Sequence, residues 1–196
     1  MTMAQLSRDS LWTLEHYSRI RNQFRQEVIA HKKSRQVALG DHITLFFEDE
    51  KTIRYQIQEM LRIEKTFEES GIQDELDAYN PLIPDGRNFK CTMMIEYPDP
   101  VQRKAELAKL KGVEDRVWVQ VEGRDKVYAI ADEDLDREND EKTSSVHFMR
   151  FELDDDMAAA LKYGVSLAIG VDHPHYSVKV DPVSADTRAS LVKDLA

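Results

Sequence analysis

The two segments Arg116–Glu122 and Lys126–Ala131 constrain this chain more than any other feature. Both are rich in β-formers, and only Gly123-Arg124-Asp125 lies between them. A short glycine-containing connection between two such runs folds the second back along the first, which makes a hairpin. A hairpin is antiparallel by construction, so a sheet that contains it cannot be wholly parallel.

Other stretches extend the pattern. Gln36–Phe47 is a second run of β-formers, broken at Gly40-Asp41 by a two-residue turn. Phe89–Tyr97, Ser145–Leu153 and Ser166–Asp172 read as further strands. Helices fall between them. Leu11, Leu14, Tyr17, Ile20, Phe24 and Val28 recur at three- and four-residue steps and predict helix through much of residues 8–32. A second helix over residues 51–70 is expected to bury Ile53, Ile57, Met60, Leu61 and Phe67 and to end at Gly71, with Glu48-Asp49-Glu50 at its positive end. Ile72–Gly86 starts as a short helical turn and becomes a loop at Pro81, Pro84 and Asp85-Gly86. Pro98-Asp99-Pro100 opens a helix over residues 100–111, and Asp154-Asp155-Asp156 caps another that ends at Lys162-Tyr163-Gly164. Strands so often follow strands that the economical fold is α+β: a mixed, mostly antiparallel sheet with helices packed on one side. One domain is expected over residues 1–176, and residues 177–196 read as a C-terminal tail, helical from Ser184.

Several function classes fall away. No stretch approaches the roughly 18 apolar residues of a membrane span. The first residues, Met1-Thr-Met-Ala-Gln-Leu6, lack the basic and apolar regions of a secretory signal, so a cytoplasmic protein is expected. Cys91 is the only cysteine, which excludes a disulfide within the chain and a cysteine-built zinc or iron–sulfur site; in its strand it reads as a buried residue. The net charge of −10 speaks against nucleic acid as a partner. Residues 1–36 run against that balance, with seven Lys/Arg to three acids, and give a basic segment on an acidic body. No glycine-rich phosphate loop and no internal repeat is present.

The residues suited to chemistry are few. Glu64 follows Met60 and Leu61 by four and three positions, which sets a carboxylate beside the apolar face of its helix. There it either pairs with an arginine or reaches water, or it serves as a metal ligand or base. Glu59 shares another stripe with Gln56 and Arg62; it suits an ion pair with Arg62 or a place facing a cleft. Strand alternation puts His147 on one face with Met149, Phe151 and Leu153, as a hydrogen-bonded core histidine, a ligand or an acid–base group. Pro174 holds His173 extended, so His173 and His175 project to one side, an arrangement open to a metal edge-on. Tyr79, Asn80 and Asp85 are loop candidates, set among Asp74, Glu75 and Asp77. The acidic run Asp132–Glu141 lacks the spacing of a calcium loop.

Longer segments carry a resemblance. Val28-Ile-Ala-His-Lys-Lys33, Val37-Ala-Leu-Gly40, Tyr55–Glu64, Glu75–Gly86, Asp115–Gly123 and Val171-Asp-His-Pro174 resemble the bacterial domain-of-unknown-function family 3501, from about residue 7 to Tyr176. The family brings no assigned activity and no catalytic residues. Its genes often neighbour those of rubrerythrin-like and iron–sulfur reductase-like proteins, which implies a setting of oxidative stress or electron transfer. Two readings follow. The first is an accessory or binding protein that docks to such a partner, or to a second copy of itself, through its charged faces. The second is a carboxylate–histidine metal protein or oxidoreductase, with Glu59, Glu64, His147 and His173 as ligands to iron or manganese. A third arrangement, a small-molecule pocket on the sheet floor beneath Tyr79-Asn80, selects no substrate.

Overall fold

The hairpin around Gly123 is present, and it joins two sheets. In the computed structural model, which describes residues 5–196, the strands are β1 Gln36–Leu39, β2 Ile43–Phe47, β3 Asn88–Ile95, β4 Val117–Val121, β5 Lys126–Tyr128, β6 Ile130–Ala131, β7 Val146–Glu152, β8 Leu167–His173 and β9 Tyr176–Val180. Met1–Ala4, which open the stretch read for a secretory signal, lie outside the described residues. One sheet runs β1-β2-β3-β7-β6 and the other β5-β4-β8-β9, every ladder antiparallel. The α+β class is as expected, but the one mixed sheet is two antiparallel ones. The division falls at Ala129. Its N–H still bonds to Val117 O of the hairpin, while Ile130 already pairs with Arg150 of the other sheet. A strand that changes sheets at a corner is how two layers are joined without an extra loop.

The inward faces meet in one core. Leu45, Phe47, Phe89, Cys91 and Met93 of the first sheet share it with Val117, Val119, Leu167, Ile169 and Val171 of the second. Helices α4 (Pro100–Lys109), α5 (Asp155–Lys162) and α6 (Ala185–Leu191) close it with Leu107, Leu161 and Leu191. Helices α1 (Leu14–Lys32), α2 (Glu50–Glu64) and α3 (Glu69–Tyr79) form a separate layer with small cores of their own: Ile53, Ile57, Leu61, Ile72 and Leu76 in one, Tyr17, Phe24 and Val28 in the other. Thr13 and Asp49 cap α1 and α2 as Ncap residues.

Three expectations need correction. The helix placed over residues 51–70 stops at Glu64, because Lys65 takes a left-handed conformation at φ 53°. Gly71 therefore lies inside α3, and Phe67, expected in the core, is 71% exposed. The boundary placed at Tyr176 is not a break either. Tyr176 opens β9, which pairs along β8, and Val183, Leu191 and Leu195 are buried. Ser184 does cap a helix, α6, but that helix belongs to the core. Beyond it the carboxylate of Asp194 meets the buried Arg35 guanidinium at 2.5 Å, which ties the last turn to the start of β1. Among the described residues no helix is long and apolar enough to cross a membrane.

Candidate functional site

Strands β2, β3 and β7 turn alternate residues to the core, which leaves a second face bearing Phe46, Thr92, Met94, Phe148 and Arg150, all half-buried. Helices α2 and α3 and the turn Asn80–Leu82 stand over this face without filling the space beneath. Two cavities result, of about 760 and 300 Å³, with Tyr79, Leu82 and Phe148 common to both walls. The smaller is lined by Phe46, Ile53 and Met94, with Lys32 and Glu48 also in its wall. The larger carries most of the charge: Asp77, Asp85, Glu133, Asp134 and Glu152 against Lys90 and Arg150.

The two cations of the larger cavity are already engaged. Lys90 donates to the Pro81 carbonyl at 2.6 Å, and burial pulls its pKa below the usual lysine value. Arg150 donates to Glu133 at 2.7 and 3.1 Å and to Glu152 at 2.6 Å. The hydrogen bond from Arg150 also holds the Glu133 carboxyl below its ordinary range. Asp134 is paired with Arg137 at 2.5 and 2.8 Å, which leaves Asp77 and Asp85 as the acidic rim. Tyr79 and Asp85 thus border the cleft. Asn80 does not: its amide closes on the backbone of Leu6, accepting at 2.9 Å and donating at 2.8 Å, and fastens the N-terminal segment to the turn. A third cavity, of about 570 Å³, lies between α1, α2 and the C-terminal helix, but His31 and Arg35 in its wall are bound to Asp49 and Asp194.

The four residues expected to share a metal are not brought together. Glu59 receives Arg21 through two hydrogen bonds at 2.7 and 2.8 Å and the Tyr17 hydroxyl at 2.7 Å. Arg21 holds its carboxyl down at about 2. That carboxylate clamps α1 to α2 and has no donor capacity to spare. Glu64, expected beside the apolar face, is exposed at the last turn of α2, because the helix ends there and its apolar stripe ends with it. His173 is buried at the end of β8. Its Nε2 lies 3.0 Å from the Lys111 carbonyl, and its Nδ1 accepts from the His175 N–H at 3.2 Å, so both ring nitrogens are used locally.

His147 is different. As expected from alternation it faces the core, fully buried. Its Nδ1 lies 2.6 Å from Asp132 Oδ2. On the other side of the ring, Nε2 lies 3.1 Å from Thr143 Oγ1, 3.0 Å from the Ser144 carbonyl and 3.9 Å from Glu114 Oε2. Thr143 in turn donates to Glu114 at 3.3 Å. Asp132 holds a left-handed backbone, φ 51°, and grips Phe148 from both sides: its N–H donates to the Phe148 carbonyl and its Oδ1 accepts from the Phe148 N–H. Arg137 adds a hydrogen bond to Oδ1 at 3.1 Å. Burial pushes the Glu114 carboxyl above its ordinary value. Sequence reasoning passed over Glu114 and Asp132. The hint was slight: Glu114 follows Val113 in a polar turn, and Asp132 opens the acidic run directly after a strand.

The molecule is thus an α+β protein of two antiparallel sheets, carrying a helical layer that leaves a cleft over one sheet. The family described as a protein of unknown function, DUF3501, matches residues 5–195, and the chain belongs to it. The match takes in the C-terminal segment that the sequence reading had left outside. The chain is also similar to a solved crystal structure from Burkholderia pseudomallei, titled a novel protein of unknown function. The two share 58% identity over 98% of this chain and 100% of that one, with a TM-score of 0.94. No curated protein matches.

Proposed function

We propose that this chain is a ligand-binding accessory protein whose working site is the cleft between α2–α3 and the outer face of the five-stranded sheet. The carrying observation is the junction of the two cavities at Tyr79, Leu82 and Phe148. The space has the size of small-molecule sites, which run to roughly 300–1,000 Å³. Two aromatic rings and Met94 suit a flat apolar body. The acidic rim of the larger cavity, where Lys90 and Arg150 are both engaged, suits a cationic head. The ligand class is therefore a small aromatic or heterocyclic cation. The family resemblance supports a redox or oxidative-stress setting in the bacterial cytoplasm, with a rubrerythrin-like or iron–sulfur reductase-like protein as the macromolecular partner.

Calorimetric titration of the full chain with matched sets of cationic, neutral and anionic aromatic fragments tests the site. Cationic members should bind best, and F148A should weaken them about tenfold, the loss of one aromatic contact of about 1.5 kcal/mol. Binding with no charge preference, or equal binding to F148A, overturns the assignment. For the setting, co-purification with the partner at physiological salt is expected, and a chain recovered alone counts against it.

A further inference from the structure

We propose that the Nε2 side of His147 is a divalent metal site, built by His147 Nε2, Glu114 Oε2, Thr143 Oγ1 and the Ser144 carbonyl, with Asp132 as the positioning residue behind the ring. It is separate from the cleft and shares only His147 with the ligand set expected from sequence.

The argument begins with lone pairs. Nδ1 of His147 faces the Asp132 carboxylate, so it carries a proton. Nε2 then has its lone pair free, yet its neighbours also present lone pairs. The Ser144 carbonyl, at 3.0 Å, can only accept. Thr143 spends its hydroxyl proton on Glu114 and turns an oxygen lone pair toward the ring. Glu114 is a carboxylate. Three electron-rich atoms stand around Nε2, at 3.0, 3.1 and 3.9 Å, and such a cluster calls for a positive charge.

No Lys or Arg supplies it. Among the described residues Glu114 forms no ion pair with Lys or Arg. Arg137, which reaches Asp132, is also held by Asp134 at 2.5 Å.

Separations fit an ion. The distances of 3.0, 3.1 and 3.3 Å match neighbouring donors around a cation with bonds of about 2.1 Å, which lie about 3.0 Å apart in an octahedron, and the 3.9 Å from Nε2 to Glu114 Oε2 requires the carboxylate to close in on the ion. The Asp132–His147 contact has the form of a carboxylate that fixes the tautomer of a metal-bound imidazole. Imidazole with oxygen donors suits manganese, iron(II) or zinc, and the absence of thiolate disfavours copper(I). Glu114, Thr143 and His147 are buried and Ser144 is half-buried, and the ion would brace the turn Glu114–Arg116 against β7.

The test is titration of the full chain, stripped with chelator at neutral pH, with Mn²⁺; the six-line EPR signal of the free ion reports binding. Fe²⁺ under anaerobic conditions and Zn²⁺ are followed by thermal shift. One equivalent should bind and raise the melting temperature. E114Q and T143V preserve shape and should each weaken binding about tenfold or more, and D132N about 10–100-fold. Far-UV circular dichroism of the metal-free variants separates lost ligation from lost folding. If none of the three ions binds, and nitrogen NMR shows His147 doubly protonated, the positive charge is a proton and the proposal falls. Binding that survives E114Q and T143V undiminished overturns it as well.

Discussion

Replacing Glu59 by Gln should destabilise the protein by about 2–3 kcal/mol at neutral pH, and the deficit should vanish in acid. The carboxylate accepts three short hydrogen bonds from Arg21 and Tyr17 and is 14% exposed. Its pKa, held at about 2 rather than 4.5, corresponds to about 3 kcal/mol of folding stability once both states are ionised. Gln preserves the outline and one acceptor, and Arg21 can still turn to water, which sets the lower figure. For a chain of this size that is a fall of about 4–12 °C in melting temperature. The folded pKa lies below the unfolded one. The stabilisation is therefore complete above pH 4.5 and drains away as pH falls toward 2. Urea titrations followed by far-UV circular dichroism, for both proteins at steps across that range, give the difference directly. Equal stabilities at neutral pH would refute the clamp. A deficit that persisted unchanged to pH 2 would show that the loss is one of packing and not of charge.

Other outcomes follow from the packing. Leu191→Ala should cost about 2–5 kcal/mol in urea denaturation, since Leu191 is fully buried; a residue in a dispensable tail would show no such loss. Gly170→Ala should destabilise by about 1–3 kcal/mol, measured the same way, because a Cβ there would stand 2.4 Å from the Trp118 ring and 2.9 Å from the Val178 carbonyl. Cys91 should resist a thiol reagent in the native protein and react fully in denaturant, because it is buried and burial pushes its thiol pKa up.

What the sequence made legible was local. Gly40-Asp41 and Gly123-Arg124-Asp125 announce their hairpins because turn chemistry is written in adjacent residues. The inward direction of His147 follows from a period of two. Pairings between distant segments carry no such mark. Nothing in Phe89–Tyr97 says that it lies beside Ser145–Leu153, and so the division into two sheets stayed hidden. The end of α2 was misread because a lysine, not a glycine, takes the left-handed position. That single residue moved Glu64 into solvent and Phe67 with it. The surroundings of His147 divide in the same way. Its face is set by its own strand, whereas its neighbours Glu114, Asp132 and Thr143 come from other segments, joined only by the fold.

The cleft is the central claim, and its own methionines can report on it. Met94 lines the smaller cavity and Met149 the larger. In a protein labelled at the methionine methyls, titration with a cationic aromatic fragment should shift the Met94 and Met149 resonances together and saturably. Met157, on α5 and lining neither cavity, should stay where it is. Shifts confined to other methyls, or no saturable shift at Met94 and Met149 with a fragment that binds, would contradict the assignment of this cleft as the working site.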